Sequence, residues 1–216
     1  MRLRQRLKRR HRAEKFPEAG CSPRRSRVCA PVRKGGNEPL SLKAIVDDYI
    51  RNYRVLVSYE LRFFKTQSNV KDAIRLAALA RTPWDTRHDH QHRIPQGDLE
   101  RWRKALTARI KAIQSCESFQ ELFELIESVG KVTKGIGELA TYDTAQRIGA
   151  YLGLSPKVVY LHAGTRKGAR VMRLGQRQAF LEMKDLPRAF SRLRPHEVED
   201  CLCIYAEHLA NLQAGQ

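Results

Sequence analysis

From Ser41 to the last residue the apolar side chains recur at steps of three and four, and that spacing confines the chain to helices. Leu42, Ile45, Val46, Tyr49, Ile50, Tyr53, Leu56, Val57, Leu61 and Phe64 follow one face, which predicts a single long amphipathic helix with Ser41 as its N-cap. Val70, Ile74, Leu76, Ala77 and Leu79 predict a second helix stopped before Pro83. Leu99, Trp102, Leu106, Ile110 and Ile113 predict a third, with Asp98 placed to cap it. Ser118, three residues ahead of Glu121, makes a capping box for a fourth, whose inner face carries Phe119, Leu122, Phe123 and Ile126. Pro195 at a helix start, with Val198, Leu202, Tyr205, Leu209 and Leu212 after it, predicts the last. Only Lys157 to Leu161 reads as a strand, too little for a sheet. The expected fold class is all-α: one helical domain over residues 41–216, with an αα hairpin at about 118–153.

Charge divides the chain unevenly. The 216 residues carry 41 Lys and Arg against 23 Asp and Glu, a net +18. Residues 1–34 alone hold 13 basic side chains and two acids, Glu14 and Glu18. Few apolar residues stand at its start, and Pro and Gly recur from Pro17 to Pro39, so residues 1–40 are expected to be a disordered basic arm. Such an arm suits phosphate neutralisation, or serves only as a solubilising extension; a transit peptide would need an apolar face that is missing here. No apolar run approaches twenty residues, and five Cys at 21, 29, 116, 201 and 203 form no disulfide framework. The expected protein is soluble, intracellular and not bound to a membrane. Cys201 and Cys203, two apart on a helix, face different ways and are expected to be buried thiols.

The segment Lys131 to Arg170 is the most informative. A helix ending near Gly130, a turn centred on Gly135-Ile136-Gly137 and a new helix through Leu152 form the αα hairpin. Glycines at 135 and 137 permit a close turn, Ile136 would plug it into the core, and the first amides of the second helix would point outward. A phosphate oxygen is the natural partner of such amides, with Lys134 beside them. No acid occurs from Thr144 to Leu181, where the chain average would give about four. Arg166, Lys167 and Arg170 in that stretch are candidate backbone contacts, and Gly164 and Gly168 a candidate phosphate nest.

This arrangement resembles the helix-hairpin-helix motif, which binds DNA backbone with little regard to sequence. The resemblance covers roughly the last hundred residues. Several proteins with this motif are DNA glycosylases, in which an Asp after the motif stabilises the developing sugar cation and bifunctional members add a Lys just past the glycines. Here Tyr160 stands where the Asp would be, and Glu138-Leu139 come directly after the glycines, so neither catalytic group matches. Tyr142 to Ala145 and Tyr160 to Arg166 also look like a divergent branch, the thymine pyrophosphorylase-like group of bacteria and phages, which implies a bacterial or phage-related setting. Within such a branch Asp143 is the best remaining carboxylate and His162 its companion; each is also readable as structural, Asp143 as paired with Arg166 or Arg170 and His162 as a core imidazole.

One further cluster, Arg87-His88-Asp89-His90-Gln91-His92-Arg93, packs three imidazoles into five residues of a polar loop. A metal site draws ligands from separated elements, so no metal and no cofactor is expected here. His90, Gln91 and Arg93 are instead placed to reach bases or phosphates, and Trp84 to stack on a base. Three functions are open on these residues: a DNA-binding protein gripping backbone, a glycosylase-like enzyme acting on modified bases, or a helical module for a protein partner. The first predicts binding that weakens steeply with salt, with a log–log slope of about 0.9 per neutralised phosphate. Deleting residues 1–34 should lower that slope in a filter-binding titration; an unchanged slope would show that the arm does not touch DNA.

Overall fold

The computed structural model describes residues 41–175 and 178–214, and within them the chain is mostly helical. The expected basic arm lies outside the described residues. Ser41 caps α1 (Leu42–Asn52) by accepting a hydrogen bond from the Ala44 amide at 3.2 Å. The predicted long helix is broken at Tyr53, and α2 (Arg54–Lys65) resumes at once. The break has a tertiary cause. Tyr53 stacks on Tyr49 and meets Tyr205 edge-on, while Arg54 is pulled into a two-pronged pair with Glu197 at 2.7 and 2.8 Å.

Asn69 caps α3 (Val70–Ala78) through the Asp72 amide, at 2.9 Å. The third predicted helix is two, α4 (Gln96–Thr107) and α5 (Ile110–Gln114), and it starts earlier than expected. Pro95 takes the N-cap position, so Asp98 does not cap; it sits inside the first turn and pairs with Arg101. Ser118 does cap α6 (Phe119–Val132), accepting from the Glu121 amide at 3.2 Å, while the Glu121 carboxylate accepts from the Glu117 amide at 3.0 Å. The chain then turns into α7 (Glu138–Leu152), which stops at Gly153 in the left-handed region with φ 75°.

Beyond α7, β1 (Val159–Tyr160) pairs antiparallel with β2 (Phe180–Leu181), a ladder of two residues where no sheet is expected from the sequence. Between them lies α8 (Ala163–Val171). The last predicted helix is interrupted at Tyr205 into α9 (Pro195–Ile204) and α10 (Ala206–Ala214).

Two apolar cores result. One gathers Phe64, Ile74, Trp102, Leu106, Leu122, Ile126 and Ile148 from α2 to α7. The other gathers Ile45, Tyr49, Phe190, Val198, Leu202 and Leu209 around α1, α8, α9 and α10. β1 straddles the two, with Val159 in the second core and Tyr160 in the first, as the alternation of a strand requires. Polar side chains collect along this seam. No described helix is long and apolar enough to cross a membrane.

Gly168 shows how tightly the second core is closed. A Cβ at this position of α8 would collide with the backbone carbonyl of Leu202 in α9, which cannot swing away. Gly168→Ala should therefore cost about 1–3 kcal/mol, a drop of about 2–4 °C in Tm per kcal/mol, whereas Gly97→Ala, which meets only Arg101 at 3.7 Å, should be near neutral. Equal melting temperatures for both variants and the parent would contradict this packing.

Candidate functional site: a carboxylate and histidine centre at the seam

Asp143 lies in the second turn of α7 and turns toward the seam. Its Oδ2 accepts a hydrogen bond from Gln91 Nε2 at 2.5 Å and lies 3.3 Å from Arg147 Nη2, one turn further along the same helix. The expected partners Arg166 and Arg170 are not involved. Arg147 is buried over the Phe64 ring, and its Nε donates to Glu60 Oε1 at 3.3 Å. The same Glu60 oxygen lies 3.1 Å from His88 Nε2. One polar chain thus runs from the His-rich loop through α7 to α2.

A second group faces it from α8 and α9. His162 N-caps α8, and its Nε2 pairs with Glu199, both deeply buried. The next residue, Asp200, accepts from Tyr49 Oη at 2.6 Å. Tyr142, beside Asp143 on α7, packs its ring 5.9 Å from that of His162. The charges of Asp143, Glu199 and Glu60 all act on Asp200, and those of Asp143 and His90 on Glu199, so the two groups form one electrostatic unit.

Burial sets the protonation states. It pushes the Asp200 carboxyl well up, helped by the neighbouring Glu199 charge and against the Tyr49 hydrogen bond. Burial likewise raises Glu60, against the attraction of Arg147. Burial also raises Glu199 despite His162, and although burial opposes charging His162, the hydrogen bond and charge of Glu199 prevail and raise it. The His162–Glu199 pair therefore keeps a proton. His88 goes the other way, down to about 2, through burial and then the Arg147 charge, and is neutral. Burial thus favours the proton-holding form at Glu60, Glu199 and Asp200.

The unit is not closed on itself. Among the described residues, Tyr142 Oη, Gln91 Oε1 and Arg147 Nη1 are buried without a hydrogen-bond partner, a costly state. Access is graded as well: the Glu60 side chain is 23% exposed and that of Asp143 16%, against 7% for Glu199.

The hairpin between α6 and α7 has its turn at Gly135, with φ 83°, and Ile136 half-buried against the first core. Its surroundings are less open than expected. The Asp98 carboxylate stands over Gly135, where any Cβ would collide with it, and Glu138 at the start of α7 pairs with Arg166. Arg166 also donates to the Leu161 carbonyl at 2.5 Å, so its guanidinium is occupied within the fold. Only at Gly137 is the turn bare, with open space where a side chain would stand. Lys134, Lys167, Arg170, Arg93 and His90 are exposed. Gly164 and Gly168 are packing positions rather than a nest: the first meets Cys203 Sγ and the second Leu202. Among the described residues no group of three or more His, Cys, Asp or Glu is arranged to hold a metal ion.

No protein-family model, curated protein or solved structure matches this chain. Its chemistry alone therefore speaks for the site. Of the candidates the sequence suggests, Gln91 bonds to Asp143 and His162 packs on the adjacent Tyr142, whereas His90 is exposed, and Arg166, Lys167, Arg170 and the hairpin glycines take no part in these contacts. Glu60, Arg147, Glu199 and Asp200 join the centre without having stood out in the sequence. A signal existed for Glu60, which interrupts the stripe Leu56, Glu60, Phe64 at steps of four, and for Glu199, which shares a helix face with His196 and Leu202.

The protonation states carry a stability consequence. A carboxyl whose pKa is raised on folding contributes stability below its unfolded pKa of about 4 and loses it as pH rises through the folded value. Asp200→Asn keeps an acceptor for Tyr49 but cannot ionise, so its Tm advantage over the parent should grow between pH 4 and pH 8. An advantage that stays constant or shrinks would show that Asp200 is ionised throughout.

Proposed function

We propose that this chain acts on bases in DNA: it grips the phosphate backbone at the α6–α7 hairpin and brings a base and its sugar to Asp143. The observation that carries the reading is that Gln91 of the His-rich loop hydrogen-bonds Asp143 on α7, while the adjacent Tyr142 packs against His162 of the buried His162–Glu199 pair, with buried polar atoms left unpaired among the described residues. Asp143 stands on the helix whose first amides lack intrahelical acceptors. Six residues of α-helix rise about 9 Å, so a phosphate at Gly137 and a sugar at Asp143 belong to the same short stretch of strand.

The charges dictate the chemistry. As the bond between C1′ of the sugar and the base nitrogen breaks, its electron pair leaves with the base and positive charge gathers on the sugar ring. The Asp143 carboxylate stabilises that charge, and a protonated group behind it, the His162–Glu199 pair or Asp200, donates the proton the leaving base takes up. Water adds its oxygen to C1′ and returns a proton to the acid, so atoms and charge balance. Gln91 and Arg147 fix the orientation of Asp143, and the free Gln91 Oε1 and Tyr142 Oη are available to the base edge. Tyr160 and Glu138, which stand where the resemblance would put catalytic groups, are engaged otherwise: Tyr160 is buried among Phe119, Phe123 and Tyr142, and Glu138 pairs with Arg166.

The hairpin and the centre are separable by mutation. Gly137→Val, which meets open space but replaces the N-cap of α7, should weaken DNA binding about tenfold or more while lowering Tm by only about 2–4 °C. Asp143→Asn should retain binding and lose base release by about 100-fold or more, measured as free base or abasic sites from DNA with modified pyrimidines. Release unaffected by Asp143→Asn removes Asp143 from the chemistry. Binding without release from any modified DNA would leave a backbone-binding protein, and complexes with protein that persist at high salt, without DNA affinity, would leave an interaction module.

A further inference from the structure

The outer edge of α8 carries cations that the chemistry above does not use. Lys167 and Arg170 stand three positions apart, on one side of the helix, and Arg173 follows just past its end; all three are exposed. Among the described residues no hydrogen bond or ion pair engages any of the three side chains. Arg166 next to them is different, because Glu138 and the Leu161 carbonyl hold its guanidinium. No acid lies between Thr144 and Leu181 to neutralise the row, and Glu207 of α10, the helix packed along α8, pairs with none of its members.

Arg173 stands where the backbone asks for glycine. Helices α7 and α8 end in the same way, with an amide bonded back five residues: Leu154 to the Gly149 carbonyl and Leu174 to the Ala169 carbonyl, both at 2.8 Å. The residue before that amide takes a left-handed backbone in each case. At α7 it is Gly153, with φ 75°; at α8 it is Arg173, with φ 57°, a conformation that any Cβ disfavours. A cation suits the negative end of a helix dipole, but Arg170 already supplies one in the last turn. What arginine adds over glycine here is a guanidinium held out into solvent.

The place of this edge says what it meets. Through Arg166 and Glu138, α8 is tied to the first turn of α7, so the row of cations sets out from beside the Gly137 turn. Three residues of α-helix rise about 4.5 Å, close to the roughly 3.4 Å of axis that each phosphate of a duplex strand occupies. We propose that Lys167, Arg170 and Arg173 form a second phosphate-binding edge, which carries the DNA backbone onward from the Gly137 turn along α8. The inference rests on the reading that this chain binds DNA, and it names Arg173 and the α8 edge as part of the grip. Cations in a row read phosphates and no base edge, in keeping with binding that has little sequence preference.

Full-length Arg173→Gly and the double variant Lys167→Gln/Arg170→Gln are titrated, beside the parent, with a fluorescein-labelled DNA duplex over a range of KCl concentrations. Arg173→Gly should lower the log–log salt slope by about one and the double variant by about two. Both should weaken binding at every salt concentration. The Tm of Arg173→Gly should stay level or rise, because glycine suits φ 57°. An unchanged slope in either variant overturns the edge, and if Gly137→Val still weakens binding the DNA reading stands without it. A fall in Tm for Arg173→Gly would show that the arginine serves the fold, and overturns its role as a contact. Absence of DNA binding by the parent at low salt overturns both readings. Binding to phosphatidylglycerol vesicles that the substitutions abolish, with DNA binding unaffected, would assign the edge to a membrane surface and overturn the proposal.

Discussion

The ion network Asp143–Arg147–Glu60 is the constraint on which the rest of the structure depends. Arg147 is buried between two carboxylates at 3.3 Å each, and removing either leaves an under-compensated charge away from water. The network joins α2 to α7 and, through Gln91 and His88, the His-rich loop to both. Its members all stand beside the first core, and the second core is reached from α7 through Tyr142, packed on His162, and Glu138, paired with Arg166. A well-packed apolar seam would serve stability at least as well; a retained polar one, with unpaired atoms beside it, points to use rather than to packing.

The contrast between surface and interior gives that use a direction. The chain carries a net +18, while Glu60, Asp143, Glu199 and Asp200 gather at one inner place. Excess basic charge along the chain draws a polyanion and raises its local concentration, while the inner centre, its carboxyls paired with Arg147 and His162 or held toward the protonated form by burial, suits a neutral polar group. Under the function proposed above, the phosphate backbone stays outside while a base and its sugar go in. The hairpin contributes less to this than its glycines suggest, because Asp98 and Glu138 place negative charge next to Gly135 and leave Gly137 as the open approach.

Much of the helical layout was legible in the sequence, because period and caps are local. Ser41 and Ser118 cap where expected, and Pro195 opens α9. The misreadings are tertiary. Nothing near Tyr53 announces the break between α1 and α2, since its causes, Tyr205 and Glu197, are more than 140 positions away. Pro95 displaced Asp98 from the cap because a proline suits the helix entry and Asp98 found Arg101. The site was half legible: Asp143 stood out as a carboxylate of low helix propensity inside a helix and His162 as a lone imidazole between Leu161 and Ala163, whereas Glu60 and Glu199 sit on helices among many other charged residues and do not stand apart. The Gln91–Asp143 bond spans 52 positions and leaves no trace in local spacing.

The central claim, that a base enters the seam at Asp143, is tested most directly by photocrosslinking. A DNA strand carrying a photoreactive base analogue is irradiated with the full-length protein, and the attached residue is located by peptide mass spectrometry. Attachment within 88–93 or 138–147, the loop and helix that meet at Asp143, is the expected result. Attachment confined to the α5 and α6 surface, away from the seam, would contradict it.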